Sequence, residues 1–524
     1  NYTGYTLRRV GKEQDPTLST SSSSTGDRRI YLQAMINYDR TFGSKHNVNA
    51  MLLYNQDQYN VNNPGDLIAS LPQRKQGLAG RLTYSYDYRY LAEFNFGYNG
   101  SENFAEGHRF GFFPSLALGY TISREKWFEP LNDVITNLKI RGSWGLVGND
   151  QIGAERYIYM SNIELQNGDL GFTTGKDQNT TYNGPKYLRY PNPDITWEVG
   201  RKLNIGMDLT LFNDFNLTFD VFKEIRNDIF MERQSIPDFI GTSPSDPWMD
   251  LSTKLYGNLG KVENKGLDFS IDYNHTFNKD FSYAANKVLE YDEPDYQAYP
   301  NLSRVGHSIN QPLLYVAERL FIDDEEVAHS PKQNLGGFVQ AGDIKYKDIP
   351  NAEGVCDGVI DANDRVYTGH PTVPEIVYGF GPSFQYKKWD FSCFFQGAAR
   401  TSIVVGDIHP FGTDGLRNVQ KFIADDYWSE SNQNIYAAYP RLSKQYNQNN
   451  TQASTYWLRN GAFLKLKDIE LGYSFKMFRV YLRGSNLLTF SPFDLWDPEQ
   501  GNGNGLFYPT QKSFNVGIQF SLNK

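Results

Sequence analysis

Cysteine is nearly missing from this chain of 524 residues. Two occur, Cys356 and Cys393, which excludes a disulfide framework and leaves two free thiols as the expected state. No window of 18 or more apolar residues occurs, so no transmembrane helix is expected. That absence does not exclude the membrane, because a spanning strand needs only about 10 residues and leaves a weak hydropathy signal. A basic excess is lacking as well. Lysine plus arginine is 51 against 60 aspartate plus glutamate, a net charge of −9, which argues against a nucleic-acid partner. The seven histidines are scattered, with no close His-Glu-His spacing of a zinc site. No Gly-x-Ser-x-Gly elbow is found. The opening residues, Asn1-Tyr2-Thr3-Gly4, carry neither a basic nor an apolar leader region, so no signal peptide is expected there. These absences leave little for covalent chemistry, and the chain is expected not to be an enzyme.

What the chain has in quantity is aromatic rings and period-two alternation. There are 36 Tyr, 35 Phe and 46 Gly, with a mean hydropathy of −0.57. Rings in a polar chain fit many strands with wet loops. Leu203, Ile205, Met207, Leu209 and Leu211 alternate with Asn204, Gly206, Asp208 and Thr210. Leu267, Phe269, Ile271 and Tyr273 do the same, as do Leu116, Leu118 and Tyr120, and Phe514, Val516, Ile518 and Phe520. About 15 such segments can be counted, each near the length of a tilted membrane strand. Each has one apolar and one polar or small face, whereas a buried parallel strand is apolar on both.

Short turns alternate with long loops. The short ones are expected at Gly43–Lys45, Asp87–Arg89, Asn213–Asp214, Asn278–Asp280, Lys387–Lys388 and Lys476–Met477. The long ones run roughly 60–76, 147–198, 229–262, 291–375, 399–462 and 488–511. A connection at 122–135, of middle length, falls at the short-turn end and allows a brief helix. Aromatic pairs flank the short turns: Tyr38 and Phe42, Phe212 and Phe215, Phe277 and Phe281, Tyr386 and Trp389, Phe475 and Phe478. Such rings suit a membrane–water interface. The expected architecture is an all-β, antiparallel transmembrane barrel with long extracellular loops. So many strands enclose too wide a space for side chains to fill, so the polar faces (Asn204, Asp208, Asp268, Asp272, Asn515, Gln519) should line a wet lumen.

Within the loops, the uncharged run 445–453 suits either hydrogen bonding to a neutral polyhydroxylated ligand or plain solvation. Gly501–Gly505 reads as a flexible loop, and Asp323-Asp324-Glu325-Glu326 as a solvated acidic face. Asp357-Gly358-Val359-Ile360-Asp361-Ala362-Asn363-Asp364 has the form of the second half of a calcium loop, with Asp357, Asp361 and Asp364 as candidate Ca2+ ligands. Its first half fails, since Val355 stands where an oxygen ligand belongs. The competing expectation is an aspartate-rich turn bonding its own backbone.

Several runs, taken together and in order, resemble the SusC/RagA-type TonB-dependent transporters of the Bacteroidetes outer membrane. They are Arg109–Tyr120, Leu138–Asn149, Asn192–Glu198, Gly260–Asp268, Gly342–Asp348, Asp357–Asp364, Tyr378–Phe380, Phe394–Gly397, Leu464–Tyr473, and Ser485–Phe490 into Asp497–Glu499. The resemblance covers residues 1–524 as the C-terminal portion of a 22-stranded barrel. The family's N-terminal extension, TonB box, plug and first strands are not seen in this sequence. The insertion Pro350–Val355 departs from the family's pattern at the calcium-like turn.

The resemblance implies energised import of oligosaccharides, or of peptides as in RagA-type members. A SusD-like surface lipoprotein would act as lid, and TonB–ExbB–ExbD would act through the plug. A passive porin or a surface glycan-binding protein is the alternative. Among the loop aromatics, Trp248, Tyr436, Tyr439, Tyr446 and Trp457 are the candidate substrate contacts. By itself the chain would be an incomplete cylinder with two unpaired edges.

Overall fold

Alternation of apolar and polar residues makes each segment a strand with two unlike faces, and one antiparallel sheet uses both. The computed structural model describes residues 22, 24–62, 67–153, 156–235, 255–273, 277–406, 410–411 and 418–520, with backbone alone at 169–170 and 277–286. Fifteen strands form the sheet in sequence order. They are β1 (Asp27–Phe42), β2 (His46–Val61), β3 (Gln73–Tyr86), β4 (Tyr90–Ser101) and β5 (Phe110–Thr121). β6 (Ile135–Asn149), β7 (Glu198–Leu211), β8 (Phe215–Glu232), β9 (Tyr256–Tyr273) and β10 (Phe277–Glu290) follow. β11 (Ile376–Tyr386), β12 (Trp389–Ala399), β13 (Phe463–Ser474), β14 (Phe478–Phe490) and β15 (Ser513–Phe520) complete it. Every neighbouring pair is antiparallel. Among the described residues β1 and β15 each have one partner, so the wall is open between them.

The connections sort by end, as the alternation of short turns and long loops predicts. One end carries 43–45, 87–89, 122–134, 212–214, 274–276, 387–388 and 475–477. The other carries 62–72, 102–109, 150–197, 233–255, 291–375, 400–462 and 491–512. The eight-residue link 102–109 is one the sequence reading did not single out. Three of the tight turns place two successive residues at positive φ: Gly43 and Ser44, Asp87 and Tyr88, Phe212 and Asn213. That is the signature of a type I′ turn, whose twist matches the flanking strands and outweighs the strain on non-glycine residues. Each closes with an amide donating to the carbonyl three residues back, such as Arg89 to Tyr86 at 2.9 Å.

One turn falls elsewhere than expected. Asn278–Asp280 lies within β10, because Tyr273 already pairs with Phe277. Turn-forming composition loses there to the register of two long strands. The expected loop 229–262 is also shorter, since β8 and β9 pair as far as Glu232 and Tyr256. The middle-length connection does hold short 3₁₀ turns, Ile122–Arg124 and Lys126–Leu131.

The outer face is apolar and uncovered. Ile36 is 72% exposed, Leu118 56%, Ile205 57% and Val516 77%. A continuous band of this kind in water would be an aggregation surface; in a bilayer it is the lipid contact. At the short-turn end Tyr38, Phe42, Phe212, Phe215, Tyr386, Trp389, Phe475 and Phe478 are all exposed. Phe475 stacks on Phe478 at 4.4 Å. Phe277 and Phe281 fall where the backbone alone is described.

The inner face is zipped by ions. Arg141 on β6 donates to Asp208 on β7 at 3.2 Å and to Asp220 on β8 at 2.6 Å. Gly206 makes this possible, since a Cβ there would lie 2.4 Å from Asp220 and 2.7 Å from the guanidinium. Arg479 on β14 likewise bridges Asp390 and Glu470, and Arg483 bonds Asp468 at 2.9 Å.

Candidate substrate site in the long loops

The loops 291–375, 400–462 and 491–512 fold together into a second core. Its buried apolar members include Tyr315, Leu320, Ile344, Tyr346, Trp428, Tyr439, Trp457 and Phe493. Short ladders frame it. Leu313–Tyr315 pairs with Arg365–Tyr367, Ala317–Leu320 with Ile344–Tyr346, and Ser402–Val404 with Leu458–Asn460.

A buried polar network ties two of these loops. Asp343 is fully buried and forms an ion pair with Arg441 at 2.8 Å. It also accepts from Asn450 Nδ2 at 2.8 Å and from the Gln340 amide at 2.8 Å. Asn450 Oδ1 accepts from the Ile344 amide at 3.0 Å, and Asn449 Nδ2 donates to the Ile344 carbonyl at 3.0 Å. Gln333 Nε2 donates to Asn449 Oδ1 at 2.7 Å, while Tyr346 Oη donates to the Asn449 carbonyl at 2.8 Å. Burial pushes the Asp343 carboxyl up, and the Arg441 charge opposes that. The uncharged run 445–453 is therefore neither simply solvated nor wholly turned to a ligand. Its Asn449 is fully buried and Asn450 nearly so, as structural cross-links.

Three of the five sequence-selected aromatics meet here. Tyr439, Tyr446 and Trp457 line one pocket with Pro440, Arg441, Ser443, Gln445, Asn447 and Thr451, around a cavity of about 40 Å³. Tyr439 and Trp457 are 6% and 5% exposed, their rings 6.0 Å apart, so the core holds their bodies and leaves edges to the pocket. The indole N–H of Trp457 donates to the Asn450 carbonyl at 2.9 Å. Tyr446 is the exposed wall, and its hydroxyl accepts from Thr451 at 3.1 Å. Tyr436 is 73% exposed and is not among the residues lining this pocket. Trp248 lies outside the described residues. Of the polar rim, Gln445 and Asn447 lie in the run 445–453 that the sequence offers for hydrogen bonding, whereas Ser443 is not singled out, because one neutral side chain carries no mark of facing a pocket.

The aspartate-rich turn directs its carboxylates at its own backbone. Asp357 accepts from the Val359 amide at 2.9 Å and Asp361 from the Asn363 amide at 2.8 Å. Asp364, buried, accepts from the amides of Ile349 and Asp361, both at 2.7 Å. Asp348 accepts from the Gly358 amide at 2.9 Å. Burial pushes the Asp364 carboxyl up, against the pull of those amides. Among the described residues no three His, Cys, Asp or Glu side chains gather closely enough to hold a metal ion.

Two other runs are more ordered than their composition implies. In the acidic run, Asp323 caps the helix Asp324–His329 by accepting from the Glu326 amide at 2.7 Å. Glu326 accepts from Arg319 at 2.6 and 2.9 Å, from Lys345 at 2.9 Å and from the Ile322 amide at 2.9 Å. The Arg319 hydrogen bonds, with the smaller help of the Ile322 amide and Lys345, bring its carboxyl down from 4.5 to about 2. A depressed carboxylate stabilises above its unfolded value and loses that stabilisation as pH falls through its folded one. The Glu326→Gln variant should therefore be less stable than wild type by up to about 3 kcal/mol at neutral pH. The gap should close between pH 4.5 and 2 in acid-unfolding curves of the loop core. A gap that is constant with pH would refute the assignment. The glycine run is docked as well: Asn502 Oδ1 accepts from the Val404 amide at 2.8 Å, and Gly406 donates to the Gly503 carbonyl at 2.9 Å.

With this geometry, similarity to known proteins is decisive. The family described as "TonB dependent receptor-like, beta-barrel" matches residues 1–487. The chain belongs to that family. It is thus a β-barrel protein of the outer membrane, with its apolar face to lipid. It is 25% identical over 489 residues to TonB-dependent receptor P3 of Formosa agariphila, covering 84% of this chain and 45% of that protein. It is 26% identical over 482 residues to TonB-dependent receptor SusC of Bacteroides thetaiotaomicron, covering 84% and 43%. In fold it is similar to the RagAB peptide transporter, with a TM-score of 0.69 at 20% identity, covering 95% of this chain and 56% of that one. The chain spans about half the length of the curated relatives it matches.

Proposed function

We propose that the protein imports oligosaccharides across the outer membrane by TonB-dependent transport. In this reading the 15-stranded wall is the C-terminal part of a 22-stranded barrel. A plug in the remaining half couples to TonB–ExbB–ExbD, and a SusD-like lipoprotein closes over the long loops. The shared family and the coverage of about half of each curated relative support this reading.

The observation that carries the substrate class is the loop pocket. Its aromatic edges are rimmed by Ser443, Gln445, Asn447 and Thr451. Its one charged member, Arg441, is committed to Asp343. Neutral donors and acceptors beside aromatic surface suit hydroxylated sugar rings better than charged peptide termini. Peptide import is the second reading, and the fold similarity to a peptide transporter keeps it in view.

The test is binding by the complete protein, with its lid, of a panel of neutral oligosaccharides and of mixed peptides. Tyr446→Ala, which removes an exposed ring and leaves the core intact, should weaken oligosaccharide binding by about tenfold in calorimetry. Unchanged affinity for every sugar, together with a loss for peptides, would reverse the assignment.

A further inference from the structure

The connection 122–134 is out of place at its end of the barrel. The other links there have two or three residues, and this one has thirteen. It is also held firmly. The Thr121 amide donates to the Arg89 carbonyl at 2.8 Å at its start, and the Phe212 amide donates to the Val134 carbonyl at 2.9 Å at its finish. Internally, the amides of Glu125, Phe128, Asn132 and Val134 each bond the carbonyl three residues back. Phe128 is buried and pins the middle.

Glu125 fixes where this segment runs. Its carboxylate accepts from Tyr90 Oη at 2.8 Å and from Arg89 at 3.1 Å. Tyr90 pairs with Tyr120, and their rings stack at 5.2 Å on the face that also carries Phe94, Leu116 and Leu118. That face is the lipid-facing one. The segment therefore folds back along the outer rim, continuous with the lipid contact.

An ordered segment in water should turn polar groups outward. This one exposes Arg124, Lys126, Glu129 and Asp133, and beside them leaves Trp127 66% exposed, Leu131 49% and Val134 46%, the mixed surface of a headgroup interface. Indole has an apolar body and one N–H donor, the combination that sits best at the level of lipid headgroups. Short turns of outer-membrane barrels face the periplasm. We propose that residues 122–134 form an interfacial anchor, with Trp127 and Leu131 seated in the periplasmic phospholipid leaflet beside the Tyr90–Tyr120 stack. The anchor fixes the depth of the β5–β6 edge in the bilayer, where a two-residue turn would leave it free to slide.

The experiment uses the complete protein in phosphatidylcholine nanodiscs, compared with its conservative Trp127→Phe variant. The difference in tryptophan emission isolates residue 127 from the other indoles. Lipid brominated near the headgroup should quench that difference roughly twofold more than lipid brominated near the chain end. Stronger quenching by the deep label would place the ring in the acyl core and overturn the interfacial seat. A difference component quenched by aqueous iodide and by neither lipid would overturn the anchor altogether, leaving Trp127 to periplasmic water or a protein partner. In a second readout, Trp127→Ser/Leu131→Ser should lower thermal stability in nanodiscs while leaving it unchanged in detergent. Equal losses in both media would mean a role in packing alone, and would also overturn the proposal.

Discussion

Replacing Asp343 by alanine is expected to undock the loop 400–462 from the loop 291–375 while leaving the sheet intact. The carboxylate is fully buried and holds Arg441, Asn450 and the Gln340 amide at once. Its loss strands a guanidinium that is only 19% exposed, together with two amide donors. Breaking a buried ion pair from one side costs about 3–5 kcal/mol, because the surviving charge keeps its desolvation penalty. That is a large fraction of the stability a small core can supply. Hydrogen exchange should speed up at 333–346 and 441–457, with the amides of β1–β9 unchanged. Asp343→Ala/Arg441→Ala should recover part of the loss, since no charge is left alone. If both loops keep their protection in the single variant, the network is ornamental to their docking. Loss of the pocket should accompany undocking, because Arg441 and Asn450 belong to both.

The sheet was legible because its rule is local. Leu203 to Leu211 shows both faces within nine residues, and the same period returns at Leu267 and Phe514. Once the faces are known, the width of such a sheet decides which one is wet. Turn placement was legible where glycine or lysine pairs broke the pattern. It failed at Asn278–Asp280, where the pairing of Tyr273 with Phe277 overrode composition. The loop core was not legible, for a physical reason. Gln333 meets Asn449 across 116 residues, and Asp343 meets Asn450 across 107. Nothing periodic marks such partners, and a buried asparagine reads the same as a solvated one. The aromatics fared better because size alone makes a ring a candidate. Tyr439 and Trp457 were chosen as ligand contacts, yet most of each ring serves the core.

The second large effect is expected at Lys465, and here sequence and structure meet in one motif. Lys465 stands on the inward face of β13, paired with Gln396 of β12 and Thr489 of β14. Its side chain is 1% exposed, and its ammonium donates to Asp497 at 2.5 Å and to Glu499 at 2.6 Å. Lys467 holds the other oxygen of Glu499 at 2.6 Å. Two cations meet two carboxylates, so the cluster is neutral. Lys465→Met keeps the aliphatic stem and leaves one uncompensated negative charge between Asp497 and Glu499. The expected loss is again about 3–5 kcal/mol. It should fall on the loop 491–512, whose Phe493 is buried in the loop core and whose Asn502 and Gly503 dock on the strand Ser402–Val404. Proteolysis should then cut within 494–508 at rates that wild type does not show. Raising salt should restore little, because a nearly buried charge is poorly screened. Lys465→Met/Asp497→Leu should regain docking, since Lys467 still neutralises Glu499. Should the single and double variants be cut equally fast, the loop depends on shape at this point rather than on charge.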